Sequence, residues 1–143
     1  MPKQCKTLIP VLSLFSGAGG LDYGFGQAGF ETVLAIDHDR AATATFNANF
    51  DGEVARNGDL SAVSPATVVK WLKDQRAEPR GIIGGPPCQG FSQIGRGKIR
   101  SLGQERERDQ KNKLYHEFIR FIDYFQPKVF VIENVIGMIT FKQ

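Results

Sequence analysis

Apolar residues along this chain gather in short runs that end at glycine, aspartate or proline. The first run, LIPVLSLF at 8–15, breaks into glycines, which suits a strand buried on both faces of a parallel sheet. Residues 19–29 then fit a helix that Gly29 stops. A second strand is predicted over 31–39 and a second helix over 40–50. Ser64 as N-cap and Pro65 at the first helical position open a third helix over 64–77, with Val68 and Leu72 on one face. GIIGG at 81–85 and KVFVIENV at 128–135 read as further strands. Between them Leu114, Phe118, Phe121 and Phe125 recur at spacings of 4, 3 and 4, the stripe of an amphipathic helix. With no internal repeat and no linker, the alternation argues for one domain. Its expected form is a doubly wound parallel sheet built from right-handed crossovers.

Residues 93–113 interrupt this rhythm, being too polar to bury and too long for an ordinary connection. Arg96, Lys98, Arg100, Arg106, Arg108, Lys111 and Lys113 face Glu105, Glu107 and Asp109, a basic surplus of four. An isolated charge run is usually a solvated loop. This one follows directly on a cysteine turn, so the expectation is a phosphate-seeking lid.

Composition narrows the class without choosing a function. A chain of 143 residues with 41% apolar and 23% charged residues has the make-up of a soluble globular domain. Its net charge of +3 permits a polyanionic partner without demanding one. Two cysteines, Cys5 and Cys88, make neither a metal cluster nor a disulfide framework, which points to a reducing compartment. The first 20 residues hold no signal peptide or membrane span, so a cytoplasmic location is expected.

In open α/β sheets ligands bind where strands end and strand order reverses, and three sets of residues fall at such ends. In the first, Gly17, Gly19 and Gly20 allow close backbone approach and lead into a helix N-terminus. A pyrophosphate fingerprint needs glycine where Asp22 stands, and a carboxylate there would face a pyrophosphate badly. The second is Asp37, 20 residues after Gly17, able to accept both hydroxyls of a ribose. Each sign is weak alone. Together they favour an adenosine cofactor without pyrophosphate, S-adenosylmethionine rather than NAD. The third set is Cys88 with Glu133. A strand-end cysteine is more often a small buried hydrophobe than a nucleophile. Pro86 and Pro87, however, give its turn a rigid shape, and rigid placement is what a nucleophile needs. Glu133 ends an apolar strand, where the expectation is a partly buried acid.

The segments LSLFSGAGGLDYGF, AIDHD, GDL, GGPPCQGFS, KNKL and PKVFVIENVIG occur in the order seen in cytosine-5 DNA methyltransferases. The chain resembles that family from Leu12 to Gly137, and the PPCQGFS and ENV pair is the specific part. The resemblance implies an α/β fold: a doubly wound, mostly parallel sheet of the S-adenosylmethionine-dependent methyltransferase (Rossmann-like) type, incomplete at its C-terminal side. It also implies methyl transfer to carbon 5 of a cytosine flipped out of double-stranded DNA, in a restriction-modification context. By match, Cys88 adds to carbon 6 of the base and Glu133 pairs with ring nitrogen 3. The backbone of Pro87 contacts base and cofactor, and Gln89, Ser92 and Asn134 lie on the DNA side. Arg96, Lys98 and Arg100 belong to the lid. On the cofactor side the resemblance puts Phe15, Ser16, Gly17, Ala18, Gly19 and Gly20 around methionine and adenine, and Asp37 on the ribose. His38 would lie on the adenine, Asp59 on its amino group, Leu60 in the same wall, and the Leu114 backbone nearby. No metal is implied.

The family's later arginine-bearing motif, target recognition region and closing segment have no counterpart before Gln143. The expectation is therefore that residues 1–143 are the N-terminal part of a catalytic domain, with an uncovered sheet edge and no activity alone. A second polypeptide would supply the rest if this is half of a split enzyme. Three rival readings remain. An RNA cytosine methyltransferase of the same family would share the motifs. An NAD-dependent dehydrogenase is opposed by Asp22 and has no use for PPCQ. A non-catalytic subunit that completes a partner's fold is opposed by the intact Cys88 and Glu133.

Overall fold

The computed structural model describes residues 8–74, 77–87 and 105–134, with side chains from Leu114 onward in the last stretch. Its elements run β1 (Ile9–Leu14), α1 (Gly20–Gln27), β2 (Phe30–Asp37), α2 (Arg40–Asn49), β3 (Ala55–Asn57), α3 (Pro65–Asp74), β4 (Gly81–Gly84), α4 (Glu105–Phe125) and β5 (Val129–Ile132). The strands form one five-stranded sheet in the order β3-β2-β1-β4-β5. Every pairing is parallel, as the unbroken apolar runs require.

Side-chain alternation along the strands sorts the core into two layers. Leu12, Leu14, Leu34, Ile36 and Ile82 meet Val68 and Leu72 of α3 and Phe118 and Phe121 of α4. The intervening Ala35 faces the other way and packs with Phe46 of α2 and Ala55. The stripe read from the sequence is thus the buried face of α4. At Gly84 the backbones of β1 and β4 come so close that a Cβ would strike the Leu14 carbonyl oxygen, so only glycine fits.

Three expectations need correcting. β3 was not foreseen, because its three residues carry no apolar run and only Ala55 is buried. Residues 105–113 belong to α4 rather than to a loop, since glutamate, arginine, lysine and glutamine form helices readily even without an apolar face. Asp22 does not face a ligand at all. It is only 2% exposed and turns inward, accepting bonds from Ser13 Oγ at 3.1 Å and Thr32 Oγ1 at 2.7 Å. It therefore fastens the first turn of α1 to β1 and β2.

Burial pushes the Asp22 carboxyl above its ordinary value of 3.8, and the Thr32 and Ser13 hydroxyls pull it partly back. An acid whose folded pKa is raised gives its full stabilisation below 3.8 and loses it as pH rises through the folded value. Asp22→Ala, which leaves two hydroxyls without their acceptor, is expected to lower stability by about 2–3 kcal/mol in urea unfolding. Asp22→Asn is expected to cost less than about 1 kcal/mol at neutral pH. Its stability relative to the native chain should improve as pH rises above the ordinary carboxylate range. A native-minus-Asn difference that stays flat with pH contradicts this account.

Candidate cofactor-binding and active site

β1 is the strand where the sheet changes direction, with β2 on one side and β4 on the other. The loops after the carboxyl ends of β1, β2, β3, β4 and β5 carry Phe15–Gly19, His38, Gly58–Asp59, Gly85–Pro87 and Glu133–Asn134 in turn. The reversal of strand order therefore gathers at one edge the residues that are scattered in sequence.

The loop after β1 is an unusual piece of backbone. Phe15 and Gly17 both have φ of 55°, and Gly19, which caps α1, has φ of 91°. A positive φ at Phe15 costs roughly 1–3 kcal/mol, so its surroundings must hold it. They do so on both sides: the Phe15 ring packs against the core, and the Ser16 N–H donates to the Ile36 carbonyl at 3.2 Å. A Cβ at Gly19 would collide with the Phe46 and Phe50 rings. Gly19 brings no capping side chain, so the positive end of α1 is left open toward a ligand. Ser16 Oγ is buried with no hydrogen-bond partner among the described residues. Ala18 and Gly20 are exposed beside it.

Asp37 is 8% exposed and holds this loop directly. Its Oδ2 accepts from the Gly17 N–H at 2.8 Å and its Oδ1 from the Asp39 N–H at 2.9 Å. Each oxygen keeps a further lone pair. His38 Nδ1 lies 3.3 Å from Asp37 Oδ1, and the His38 side chain is 75% exposed, free to lie against a flat ligand. Asn57 Nδ2 donates to the His38 and Asp37 carbonyls at 2.8 and 3.2 Å, binding β3 to the same edge.

Asp59 is exposed, and its Oδ1 accepts both the Ser61 N–H at 2.9 Å and the Ser61 hydroxyl at 2.7 Å. Among the described residues Oδ2 is left for another donor. The Ser61 hydroxyl, then the Ser61 N–H, hold the Asp59 carboxyl below its ordinary 3.8. Leu60 follows in the chain. Its side chain is 2% exposed and packs in the core, and its carbonyl accepts from Arg120. A leucine beside an aspartate goes to whichever side is apolar, and here that is the α3–α4 layer.

At the far side the Glu133 N–H donates to the Gly84 carbonyl at 2.9 Å. The Glu133 carboxylate lies against Gly85, where Oε2 would be 3.2 Å from a Cβ. Gly85 thus makes room for this carboxylate at the head of the Pro86–Pro87 turn. Pro86 is buried and Pro87 half-buried. Glu133 is exposed, not partly buried as expected, because β5 is an edge strand. Its residues Val129, Phe130 and Val131 are exposed as well. Asn134 follows Glu133 and is half-buried. Leu114 is half-buried on α4, one turn before Phe118, and is not shown against the other candidates. Cys88, Gln89, Ser92, Arg96, Lys98 and Arg100 lie outside the described residues. No group of three or more metal-ligating side chains occurs among the described residues, and no helix there is long and apolar enough to cross a membrane.

Sequence reasoning passed over Ser61, Asn57 and Arg120. Serine and asparagine in a loop carry no distinguishing pattern. Arg120, a lone cation inside an apolar stripe, was the one available sign.

Residues 9–143 match the model of the C-5 cytosine-specific DNA methylase family. The chain belongs to that family. It is 39% identical over 129 residues to the type II methyltransferase M.AgeI of Thalassovita gelatinovora, covering 90% of this chain and 28% of that protein. To M.AquIA of Picosynechococcus it is 37% identical over 133 residues, covering 93% of this chain and 51% of that protein. Among solved structures, an E. coli prophage-encoded protein described as a DNA modification methyltransferase shares 36% identity with a TM-score of 0.72. That match covers 91% of this chain and 33% of the other. The chain spans from under a third to about half the length of these curated relatives. Methylases of this family use S-adenosylmethionine in general terms, and their substrate is DNA.

In this methylase chain the state of Asp59 is directly measurable. An acid with a lowered folded pKa contributes fully above 3.8 and loses that contribution as pH falls through the lower folded value. Asp59 should therefore be ionised throughout the neutral range. Ser61→Ala is expected to raise its pKa toward the ordinary value in a carboxyl-carbon NMR titration. An Asp59 pKa that does not move on this substitution shows that the Ser61 hydroxyl is not its cause.

Proposed function

We propose that this chain carries the cofactor site and the catalytic pair of a DNA cytosine-5 methyltransferase, the modification enzyme of a restriction-modification system. The observation that carries the reading is the Glu133 carboxylate lodged beside Gly85, at the head of the rigid Pro86–Pro87 turn that leads into Cys88. An acid and a thiol on neighbouring strand ends are the parts required for covalent activation of a pyrimidine ring.

The residues at the edge fit S-adenosylmethionine. Ser16 brings a buried hydroxyl without a partner, Asp37 keeps lone pairs for a ribose, and Asp59 keeps Oδ2 for the amino group of adenine. When bound, the cofactor supplies a methyl group on a positively charged sulfur. The rest falls to the chain and the base. Carbon 5 of cytosine is a weak nucleophile. The Cys88 thiolate adds to carbon 6, and Glu133 at ring nitrogen 3 offsets the charge that develops on the ring. Carbon 5 would then take the methyl group, leaving a neutral thioether behind, and loss of the carbon 5 proton to a base would expel the thiolate and restore the ring. Because the target is stacked inside a duplex, it must be flipped out to reach Cys88. Pro87, Gln89, Ser92 and Asn134 are assigned to the base and the DNA backbone, and Arg96, Lys98 and Arg100 to phosphates. The exposed apolar edge at Val129, Phe130 and Val131 supports further polypeptide covering β5, including a second chain if the enzyme is split. Cytoplasmic location follows from this role.

The test is methyl transfer from labelled S-adenosylmethionine to duplex DNA, by the chain alone and with a second polypeptide carrying the rest of a family member. The chain alone is expected to be inactive and the pair active. In the active pair Cys88→Ser should fall below about 1% of native turnover, and Glu133→Gln should lose about 100-fold, with cofactor affinity nearly unchanged. Turnover by Cys88→Ser near the native rate removes the thiol from the mechanism.

A further inference from the structure

Between β3 and α3 the chain runs free of the sheet, and this stretch carries Asp59. Its backbone bonds are mostly local, with one to the end of β2. The Ala62 and Val63 N–H groups donate to the Asp59 carbonyl at 2.9 and 2.8 Å, and the Gly58 N–H donates to the Asp37 carbonyl at 2.9 Å. Besides the packing of Leu60 in the core, a side-chain tie reaches it from α4. Arg120 Nη2 on α4 donates to the Leu60 carbonyl at 2.6 Å and to the Val63 carbonyl at 3.0 Å. The donor group is itself aimed: Nε is held by Glu117 Oε2 at 2.7 Å, and the guanidinium lies 4.9 Å from the centre of the Phe121 ring. With Nε held by Glu117 and the guanidinium near the Phe121 ring, Nη2 is turned toward the loop.

From this geometry we propose that Arg120 is a positioning residue for adenine recognition. It fixes the 58–63 loop so that the free oxygen of Asp59 stands where the amino group of the purine is read. The two carbonyls it grips bracket Ser61, the residue that orients the Asp59 carboxylate, and one of them belongs to the neighbour of Asp59. Without this grip the loop keeps its local turn but loses its register against α4. Asp59 then accepts from adenine no better than from water. Lysine brings one ammonium toward the same carbonyls but has no second donor for Glu117 to hold, so its charge is not aimed and it restores the grip only in part.

The inference rests on the reading that Asp59 accepts the adenine amino group, and the test separates the two. S-adenosylhomocysteine and S-inosylhomocysteine, in which a carbonyl oxygen replaces that amino group, are titrated into the whole chain by NMR, which reads even millimolar dissociation constants. The native chain is expected to prefer the adenine compound about 10-fold or more, as a charged hydrogen bond would give. Arg120→Met should reduce that preference to about 2-fold, and Arg120→Lys should keep an intermediate value. The ratio of two ligands on one protein does not move with a general loss of stability. If Arg120→Met fails to fold, the Arg120→Lys ratio decides. A native preference that survives unchanged in the substituted, folded chain overturns the role of Arg120. No preference in the native chain overturns the reading of Asp59, and this inference with it.

Discussion

The carboxylate and carbonyl of Asp37 tie together the loops after β1 and β3 and the entry to α2 at the carboxyl end of the sheet. Its two carboxylate oxygens take the amides of Gly17 and Asp39, so the loop after β1 and the entry to α2 are fixed by one side chain. Its carbonyl takes the Gly58 N–H and the Asn57 amide, so the loop after β3 is hung from the same residue. A buried carboxylate that accepts backbone N–H groups is well compensated, which is why this residue is tolerated at 8% exposure. Phe15, which adopts a left-handed conformation at a real energetic cost, sits within the frame that Asp37 closes.

Three carboxylates at this end of the molecule do different work because their surroundings differ. Asp22 is enclosed by β1, β2 and its own helix, where burial raises its pKa and its role is mechanical. Asp59 stands in solvent with Ser61 donating twice to one oxygen, which lowers its pKa. Glu133 lies beside Gly85 and is exposed at the end of an edge strand. The same functional group thus serves as a fastener in one place and stands as a candidate for recognition or chemistry in the others, and the difference is made by solvent access and donor count.

The main elements were legible in the chain because parallel strands buried on both faces read as unbroken apolar runs, and α4 repeats its apolar residues at helical spacing. Glycine and proline marked the turns where backbone conformation, rather than side-chain contact, sets the geometry. β3 escaped notice because a three-residue edge strand needs no apolar run of its own. The start of α4 was misread because charge suggested a loop, whereas helix formation there depends on backbone propensity and not on polarity.

Residue type and order alone determined the family, the parallel α/β architecture and the strand ends at which chemistry would collect, since these follow from hydrophobic periodicity and from a motif order that few folds share. Which way a side chain turns was decided only in three dimensions. Leu60 goes into the core and Asp22 into the sheet because neighbours far away in sequence offer an apolar layer to one and two hydroxyls to the other. Arg120 bonds to carbonyls 60 and 57 residues earlier. No local pattern encodes such a contact, because it exists only once α4 has packed beside the loop that carries Asp59.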